Sequence, residues 1–435
     1  MENLNTVPDT MPDDVISRLI PVYETFGIML IQMEMEFPQK LDTDRLSKAI
    51  SLSLDAEPKL GYRYVTHWRK PYWKRMERHN GNILTIARSE REYEVFRHTG
   101  IDAYTGPQLR VCLLEPGDVS HLLIKVSHHV ADADGVKDVT RLIASIYNSL
   151  GNNPDYSPKQ NISLNDDIKK VLDTVPREEF PRLRRQNKET RRVMHTKNGI
   201  HRLIFNNKSD DNYTYVIRML DRNHVSNLAV YGKENNATLN DLLLAAFFRA
   251  QTKVGNWDGK KQLCVQTTVD CRRYLPDHKA STITNLAWGY PGWPCLSTDL
   301  GDDFLQTLKK IVVQTRQRKE NYIGVDALIE NQGLLRLAPM MSRFKKPVTN
   351  FIKKMTEKGM APDALRNMGP IDPDAVNFGC KPTQARLLTI LASSPFFTLG
   401  VSGYDGTLTL SAGIDSSQEQ LVNHFFDIMI EELSI

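Results

Sequence analysis

The stretch Lys125-Val126-Ser127-His128-His129-Val130-Ala131-Asp132-Ala133-Asp134-Gly135 decides how we interpret this chain. Two short apolar runs precede it, at 111–114 and 122–126, and a turn cluster at 115–118 separates them, which predicts a β-hairpin. After Gly135, apolar residues recur at helical spacing as far as Tyr147, and the residues at 150–154 supply helix stop signals. The two histidines are therefore expected on a turn that leads from a strand into a helix.

The histidines of this turn can be interpreted as catalytic or as structural. Neighbouring strand residues point to opposite faces, so His128 and His129 are not both expected to face one site. With Asp132 they converge poorly as metal ligands, and no third cluster lies nearby, so we predict no metal. A histidine can accept a proton near neutral pH while a backbone carbonyl holds its other nitrogen. Equally, the histidine can be structural, with the aspartates capping the helix.

The bulk composition sets broad limits. A length of 435 residues indicates two or three domains, or one large fold of two lobes. The chain is 40% hydrophobic and 25% charged, which is ordinary for a soluble protein, and its net charge of +4 is too small to favour nucleic-acid binding. The five cysteines form no CxxC pair, which fits a reducing compartment and neither a disulfide framework nor a zinc finger. Because no signal-peptide pattern and no apolar run of about 18 residues is present, we expect a cytoplasmic protein without a membrane span.

The same order of elements occurs twice along the chain. In the first half, a strand at 26–37, a helix capped by Asp42 and a strand at 60–65 follow a polar arm of about 19 residues that we expect to be loose. In the second half, a strand at 213–220 leads to a helix with Thr238 as N-cap and Asp241 as its partner. A helix at 302–320 and a hairpin around Asp405-Gly406 complete the pattern. We predict an α/β fold of two similar lobes with mixed sheets, residues 1–180 and 181–435, the second including a basic linker.

Two basic segments lie outside these patterns. One gathers Arg182, Arg184, Arg185, Lys188, Arg191 and Arg192, and the other contains Arg343, Lys345, Lys346, Lys353 and Lys354. A basic run is usually a solvated face, but either segment could meet the phosphates of an anionic carrier or co-substrate.

Five motifs together resemble the chloramphenicol acetyltransferase-like superfamily, which includes nonribosomal condensation domains, alcohol acetyltransferases and other CoA-dependent acyltransferases. They are Phe-Pro-x-x-Leu-Asp-x-x-x-Leu-x-x-Ala-Ile from Phe37, the His128 stretch, Ala-Thr-Leu-Asn-Asp-Leu-Leu-Leu-Ala-Ala from Ala237, Asp-x-Arg-Arg-Tyr-Leu from Asp270, and Asn377-Phe378-Gly379. The resemblance covers nearly the whole chain. It implies two lobes, a tunnel between them, and a histidine at the tunnel centre that serves as general base.

The family pattern His-His-x-x-x-Asp-Gly is not matched fully. Counted from His128, Asp132 is in place, with Ser127 at the first histidine and Ala133 at the glycine. Counted from His129, the aspartate of Asp-Gly comes one residue late, at Asp134. The family has apolar residues four, seven and eleven positions after the aspartate. Counting from Asp132 places them at Val136, Val139 and Ile143; counting from Asp134 gives Asp138, Arg141 and Ser145.

This comparison favours His128 as the base, with His129 as the alternative. The resemblance also implies that Asp132 is structural and pairs with an arginine, for which Arg272 is the first candidate and Arg273 the reserve.

The resemblance thus implies an acyltransferase that moves an acyl group from a CoA or carrier-protein thioester to an alcohol or amine. Acyl-CoA or acyl-phosphopantetheine would be a co-substrate, with no permanently bound cofactor, and the residues that bind it are unknown. An acyl carrier protein is the alternative source of the thioester. The other hypotheses are a carrier-dependent, amide-forming condensation enzyme and a catalytically silent binding module of the same fold. No cysteine lies at a family nucleophile position, and no Gly-x-Ser-x-Gly elbow occurs.

Overall fold

A computed structural model describes residues 7–14, 16–67, 70–76, 83–163, 167–194, 198–203, 205, 212–290, 295–297, 299–320, 322–358 and 361–435. The strands of this part are β1 Thr10–Pro12, β2 Gly27–Ile28, β3 Leu30–Phe37, β4 Arg63–Val65, β5 Tyr72–Lys74, β6 Leu84–Ala87, β7 Leu109–Leu114, β8 Ser120–Ser127, β9 Ile200–His201, β10 Tyr213–Leu220, β11 Gln262–Cys264, β12 Thr267–Asp270, β13 Ala287–Tyr290, β14 Cys295–Ser297, β15 Ala364–Ile371, β16 Gln384–Leu388, β17 Leu391–Ala392, β18 Thr398–Tyr404 and β19 Thr407–Asp415. The helices are α1 Ile20–Tyr23, α2 Thr43–Ala56, α3 Glu90–His98, α4 Ala133–Asn152, α5 Asp167–Asp173, α6 Phe180–Met194, α7 Arg222–Glu234, α8 Leu239–Val254, α9 Phe304–Lys319, α10 Val325–Arg343, α11 Lys345–Glu357 and α12 Glu419–Leu433. None of these described helices is both long and apolar enough to cross a membrane.

The first lobe is built on a five-stranded sheet in the order β16-β3-β8-β7-β6. Strands β3 and β8 pair antiparallel from Leu30 opposite Ser127 to Phe37 opposite Ser120, whereas β6 and β7 run parallel. Helices α2 and α4 pack on this sheet and bury the residues that recur at helical spacing after Asp132: Val136, Val139 and Ile143 are fully buried. The hairpin of β7 and β8 is the one that the sequence predicts.

The second lobe contains a six-stranded sheet in which β19 pairs with β18 on one edge and with β10 on the other. Its core includes helices α8 and α12, and α8 is buried nearly all round, as its sequence predicts. Thr238 caps α8 and forms a capping box with Asp241. Both lobes therefore combine a mixed sheet with packed helices, and the predicted α/β fold class is confirmed.

Each lobe contributes a strand to the sheet of the other. Strand β16, from the end of the chain, pairs antiparallel with β3 of the first lobe, with Met33 opposite Leu387. In return, β2 near the start of the chain pairs with β17 of the second lobe's sheet. Such an exchange has no local sequence signal, and the boundary at residue 180 stays a prediction.

The N-terminal arm is more ordered than the sequence predicts. Among its described residues, β1 pairs with β5, and Asp13 forms an ion pair with Arg18 at 2.8 Å. Ser17 is fully buried and its hydroxyl donates to the carbonyl of His129. For residues 7–14 and 16–19 the expectation of a loose arm was wrong, because β1 joins a sheet and Ser17 bonds a residue that is distant in sequence. Residues 1–6 and 15 lie outside the described part of the chain.

The cysteines and one strand also differ from expectation. Cys264 and Cys295 lie opposite each other on β11 and β14 and form a disulfide, with Cα atoms 4.2 Å apart. Sequence spacing does not reveal this pair, since strand register creates it. Part of the strand expected at 60–65 is instead a 3₁₀ helix, Pro58–Gly61, which Pro58 at its first position favours.

Candidate active site

The turn that carries the two histidines lies between β8 and α4. The His128 N–H still donates to the Met29 carbonyl, at 3.0 Å, so the chain leaves the sheet only after this residue. The Val130 N–H then donates to the Ser127 carbonyl at 3.1 Å and reverses the chain direction. As a result, the side chains of His128 and His129 have different surroundings.

The ring of His128 has one nitrogen engaged. Its Nδ1 lies 3.0 Å from the Ala131 carbonyl oxygen and 3.2 Å from Asn285 Oδ1. The amide nitrogen of Asn285 donates to the His128 carbonyl at 3.0 Å, which assigns Oδ1 as the acceptor that faces the ring. Because both partners of Nδ1 are acceptors, Nδ1 carries the hydrogen and Nε2 keeps a lone pair.

His128 is more accessible to solvent than its neighbours in the turn. It is half-buried, whereas its neighbours Ser127 and His129 are each only 1% exposed. Burial lowers the pKa of His128, and the nearby carboxylate of Asp132 opposes this effect. The ring is therefore neutral at pH 7 and can accept a proton on Nε2.

His129 is held inside the first lobe. Its Nδ1 lies 3.2 Å from the Ser127 hydroxyl, and its Nε2 lies 3.5 Å from both Glu24 Oε1 and the Tyr104 hydroxyl. Its ring also packs against that of Tyr64, with centroids 5.2 Å apart. These contacts enclose the His129 ring among side chains of the first lobe.

Asp132 accepts four hydrogen bonds. Its Oδ1 accepts the Gly135 N–H at 2.9 Å and thereby caps α4, while Oδ2 accepts from Arg272 Nη1 at 2.9 Å, from the Leu286 N–H at 2.6 Å and from the Ala287 N–H at 2.8 Å. Burial alone would raise the pKa of Asp132, but the Arg272 charge and these hydrogen bonds outweigh it and lower the pKa to about 2. Asp132 therefore stays ionised at pH 7.

Arg272, and not Arg273, is the residue that the structure brings to Asp132. Its Nη2 also donates to the Thr284 carbonyl at 2.9 Å, and its Nη1 to Asp270 Oδ1 at 3.1 Å. Arg273 is exposed beside the ring of Tyr274. Since Arg272 and Asn285 belong to the second lobe and the histidine turn to the first, the site lies where the lobes meet.

The departure from the glycine of the family pattern causes no strain. Ala133 is the first residue of α4 and has no positive φ. The glycine requirement instead falls at Gly135, where a Cβ atom would lie 2.9 Å from Ala131 Cβ and 3.1 Å from the Thr284 carbonyl oxygen. Gly135 therefore lets the start of α4 approach the second lobe closely.

Sequence reasoning gave no role to Asn285 or Ser17. Asn285 is fully buried, and its amide nitrogen donates to the His128 carbonyl and lies 3.3 Å from both the His129 carbonyl and the Ser17 hydroxyl. It fixes the histidine turn by a contact between lobes. A single asparagine in a Thr-Asn-Leu run carries no pattern that could have revealed this.

Metal-binding clusters, cavities and basic segments are the other features that could hold a ligand. Within the described residues, no group of three or more His, Cys, Asp or Glu is arranged to hold a metal ion. Two surface cavities, of about 870 and 330 Å³, are lined by residues other than His128. In the two basic segments the described side chains are exposed or half-buried, with Arg182, Lys188, Arg343 and Lys346 exposed.

The chain is similar to known proteins in its structure. No protein-family model matches the chain, and no curated protein matches it by sequence. The trichothecene 15-O-acetyltransferase from Fusarium sporotrichioides matches with a TM-score of 0.72 and 12% identity, covering 98% of this chain and 94% of that chain. The first condensation domain of the calcium-dependent antibiotic synthetase matches with a TM-score of 0.70 and 14% identity, over 96% and 95%.

A further match, the polyketide synthase associated protein 5 from Mycobacterium tuberculosis, has a TM-score of 0.65 and 14% identity, over 97% and 98%. At these identities the likeness shows the fold alone. The chain thus has the chloramphenicol acetyltransferase-like fold of condensation domains and of a known acetyltransferase.

Proposed function

We propose that the protein is an acyltransferase that moves an acyl group from a CoA or carrier-protein thioester to an alcohol or amine, with His128 as the general base. The observation that carries this proposal is the state of His128. Its Nδ1–H is held by the Ala131 carbonyl and Asn285, its ring is neutral, and its Nε2 bonds no residue that the structure describes, which leaves it available as an acceptor. A base of this kind needs its free nitrogen near the acceptor and a pKa near or below the working pH.

The reaction needs no covalent enzyme intermediate. His128 Nε2 removes the proton of the acceptor hydroxyl or amine as the oxygen or nitrogen attacks the thioester carbonyl carbon. The resulting tetrahedral intermediate breaks its carbon–sulfur bond, and the thiolate leaves. The proton on Nε2 passes to the departing sulfur, which returns His128 to its neutral form and releases free thiol.

The other residues of the site position this base. Asp132 holds the turn through the N-terminus of α4, Arg272 and two backbone N–H groups of the second lobe. Asn285 fixes the ring tautomer. The same geometry serves an amide-forming condensation on a carrier protein, which the likeness to a condensation domain keeps as the second candidate.

The test is an assay of free thiol release with a panel of acyl-CoAs and candidate alcohols and amines. His128→Ala should lower the transfer rate on the order of 10²- to 10⁴-fold. His129→Ala is the matched variant: it should lower the melting temperature, because His129 is buried among Glu24, Tyr104 and Tyr64, while the folded fraction retains transfer.

Three outcomes have different meanings. If His129→Ala abolishes transfer and His128→Ala retains it, the assignment of the base is wrong. If acyl groups move only from a phosphopantetheinylated carrier protein, the condensation enzyme replaces the CoA-dependent one. If wild-type protein binds acyl-CoA without releasing thiol under any condition, the protein is the silent binding module.

A further inference from the structure

Helices α10 and α11 expose a group of large apolar side chains. Five of the twelve large apolar side chains that are exposed in the described chain lie on or between these two helices, and they are Leu334, Leu337, Met340, Phe344 and Phe351. The two phenylalanines are 56% and 63% exposed. Single exposed apolar residues are normal on a protein surface, but a group of them in one segment indicates an interaction surface.

Both helices are anchored to the protein by their other faces. Leu335 and Ala338 of α10 are buried in the core, and each directly follows an exposed leucine. Because adjacent helix residues differ by about 100° in direction, the exposed leucines lie on a different face from the buried residues. On α11, Ile352 packs against the buried cluster that contains Ile20 and Phe26. The exposed apolar side chains therefore form a second face of helices that are already packed.

The exposed charges of this segment are nearly all positive. Between residues 333 and 358, the described ionisable side chains that are exposed comprise one acid, Glu357, and five bases, which are Arg336, Arg343, Lys346, Lys354 and Lys358. Within the residues that the structure describes, none of these five bases forms an ion pair. Such a surface complements an anionic partner.

The arrangement on α11 favours lipid over protein as this partner. Phe351, Lys354 and Lys358 lie at positions i, i+3 and i+7, so the ring and the two charges share one face. Lysines are depleted in the cores of protein–protein interfaces. At a bilayer surface, in contrast, an aromatic ring can enter the boundary of the acyl chains while long lysine stems reach back to the headgroup phosphates.

We propose that the surface formed by α10 and α11 binds an anionic lipid bilayer, with its exposed apolar side chains at the boundary between headgroups and acyl chains and its basic residues at the phosphates. Helices that bind in this way lie in the plane of the surface. Helix α10 also packs on the 3₁₀ helix Ser17–Leu19, whose Ser17 contacts the histidine turn. The lipid-binding helix is thus in direct contact with an element that supports the candidate active site. The inference does not depend on the proposed acyl transfer.

The test is co-sedimentation of the purified protein with vesicles of phosphatidylcholine alone or of phosphatidylcholine mixed with phosphatidylglycerol. Wild type should stay in solution without vesicles and should bind the mixed vesicles, with an affinity that falls as salt is added. A basic residue near an anionic leaflet contributes about fivefold in affinity, so Lys354→Gln combined with Lys358→Gln should weaken binding roughly 25-fold. Phe344→Ser combined with Phe351→Ser should weaken it roughly tenfold or more at every salt concentration.

Two matched double variants are the controls. Val95→Ser with Val230→Ser removes two apolar side chains that are equally exposed on α3 and α7. Lys260→Gln with Lys261→Gln removes two exposed lysines from a loop. Both controls should bind vesicles as wild type does. Because every substituted side chain is exposed, all four double variants should keep a melting temperature close to that of wild type.

The proposal is supported if the protein pellets with the mixed vesicles, if both α10–α11 variants lose this binding, and if both controls keep it. It is overturned if wild type binds neither kind of vesicle, if it binds neutral and mixed vesicles equally, or if the controls lose binding as far as the test variants do. Binding to an acidic acyl carrier protein through the same residues, without vesicle binding, would also overturn it and would assign the surface to a protein partner.

Discussion

The replacement Asp132→Asn tests whether the buried ion pair positions the site. The carboxylate accepts four N–H donors, and an amide of the same size would turn one acceptor atom into a donor that faces them. Arg272 would keep only the Asp270 carboxylate as an ionic partner. Removing one partner of a buried pair costs roughly 3 to 5 kcal/mol of the free energy of unfolding.

Part of this loss depends on pH in a defined direction. The pKa of Asp132 is lowered from 3.8 to about 2 in the folded state. A lowered pKa means that the carboxylate stabilises the folded state above about pH 4 and that this stabilisation is lost as pH falls toward 2. A shift of nearly two units corresponds to about 2 kcal/mol. The difference between wild type and Asp132→Asn should therefore shrink by about that amount between pH 7 and pH 2.

The assay is urea unfolding of wild type, Asp132→Asn, Arg272→Met and the double variant, with transfer rates measured in parallel. A coupling energy well above the usual additivity error of about 0.5 kcal/mol is expected. Asp134→Asn, in the first turn of α4 and paired among the described residues with the partly buried Lys137, is the control and should cost about 1 kcal/mol or less. Additive single effects, or a loss of activity in Asp132→Asn without a loss of stability, would refute the positioning role.

Three further predictions concern the base, the donor and the turn. Because burial lowers the pKa of His128 from 6.5, kcat/KM should fall on the acid side with its midpoint below pH 6.5; a midpoint above pH 6.5 would contradict a neutral base. If the basic segment at 182–192 or at 343–354 meets the donor phosphates, the KM of acyl-CoA should rise from roughly 0.05 to 0.5 M salt, and a flat KM would argue against both segments. Gly135→Ala should lower the free energy of unfolding by about 1 to 3 kcal/mol, because the new Cβ atom would crowd Ala131 and Thr284. Gly333→Ala on α10, where a Cβ atom meets nothing within 4 Å, is the control and should raise the free energy of unfolding. Equal effects of the two changes in urea unfolding would contradict crowding at Gly135.

Features that depend on neighbours in sequence were predictable. The hairpin of β7 and β8 follows from two apolar runs and the turn between them. The caps at Asp42 and Thr238 follow from residue types whose side chains bond backbone three positions on. The terminal hairpin turns at Asp405-Gly406, where both residues have positive φ, as this dipeptide indicates.

Features that depend on the meeting of the lobes were not predictable. Asn285 and Ser17 are common polar residues without a pattern, and they acquire their role only when the second lobe and the N-terminal arm close on the histidine turn. The sequence left His128 and His129 as candidates for the proposed base. The structure shows that the two rings have different hydrogen-bond partners and different burial.

The exchange of strands between lobes also governs how the chain can be made. Strand β3 has one edge that only β16 covers, and β16 lies near the end of the chain. While a ribosome is still adding residues up to 388, that edge has unpaired backbone groups, which can join another strand. The first lobe therefore keeps an uncovered strand edge until β16 has been made, and a fragment that ends at residue 180 would leave the same edge open to aggregation.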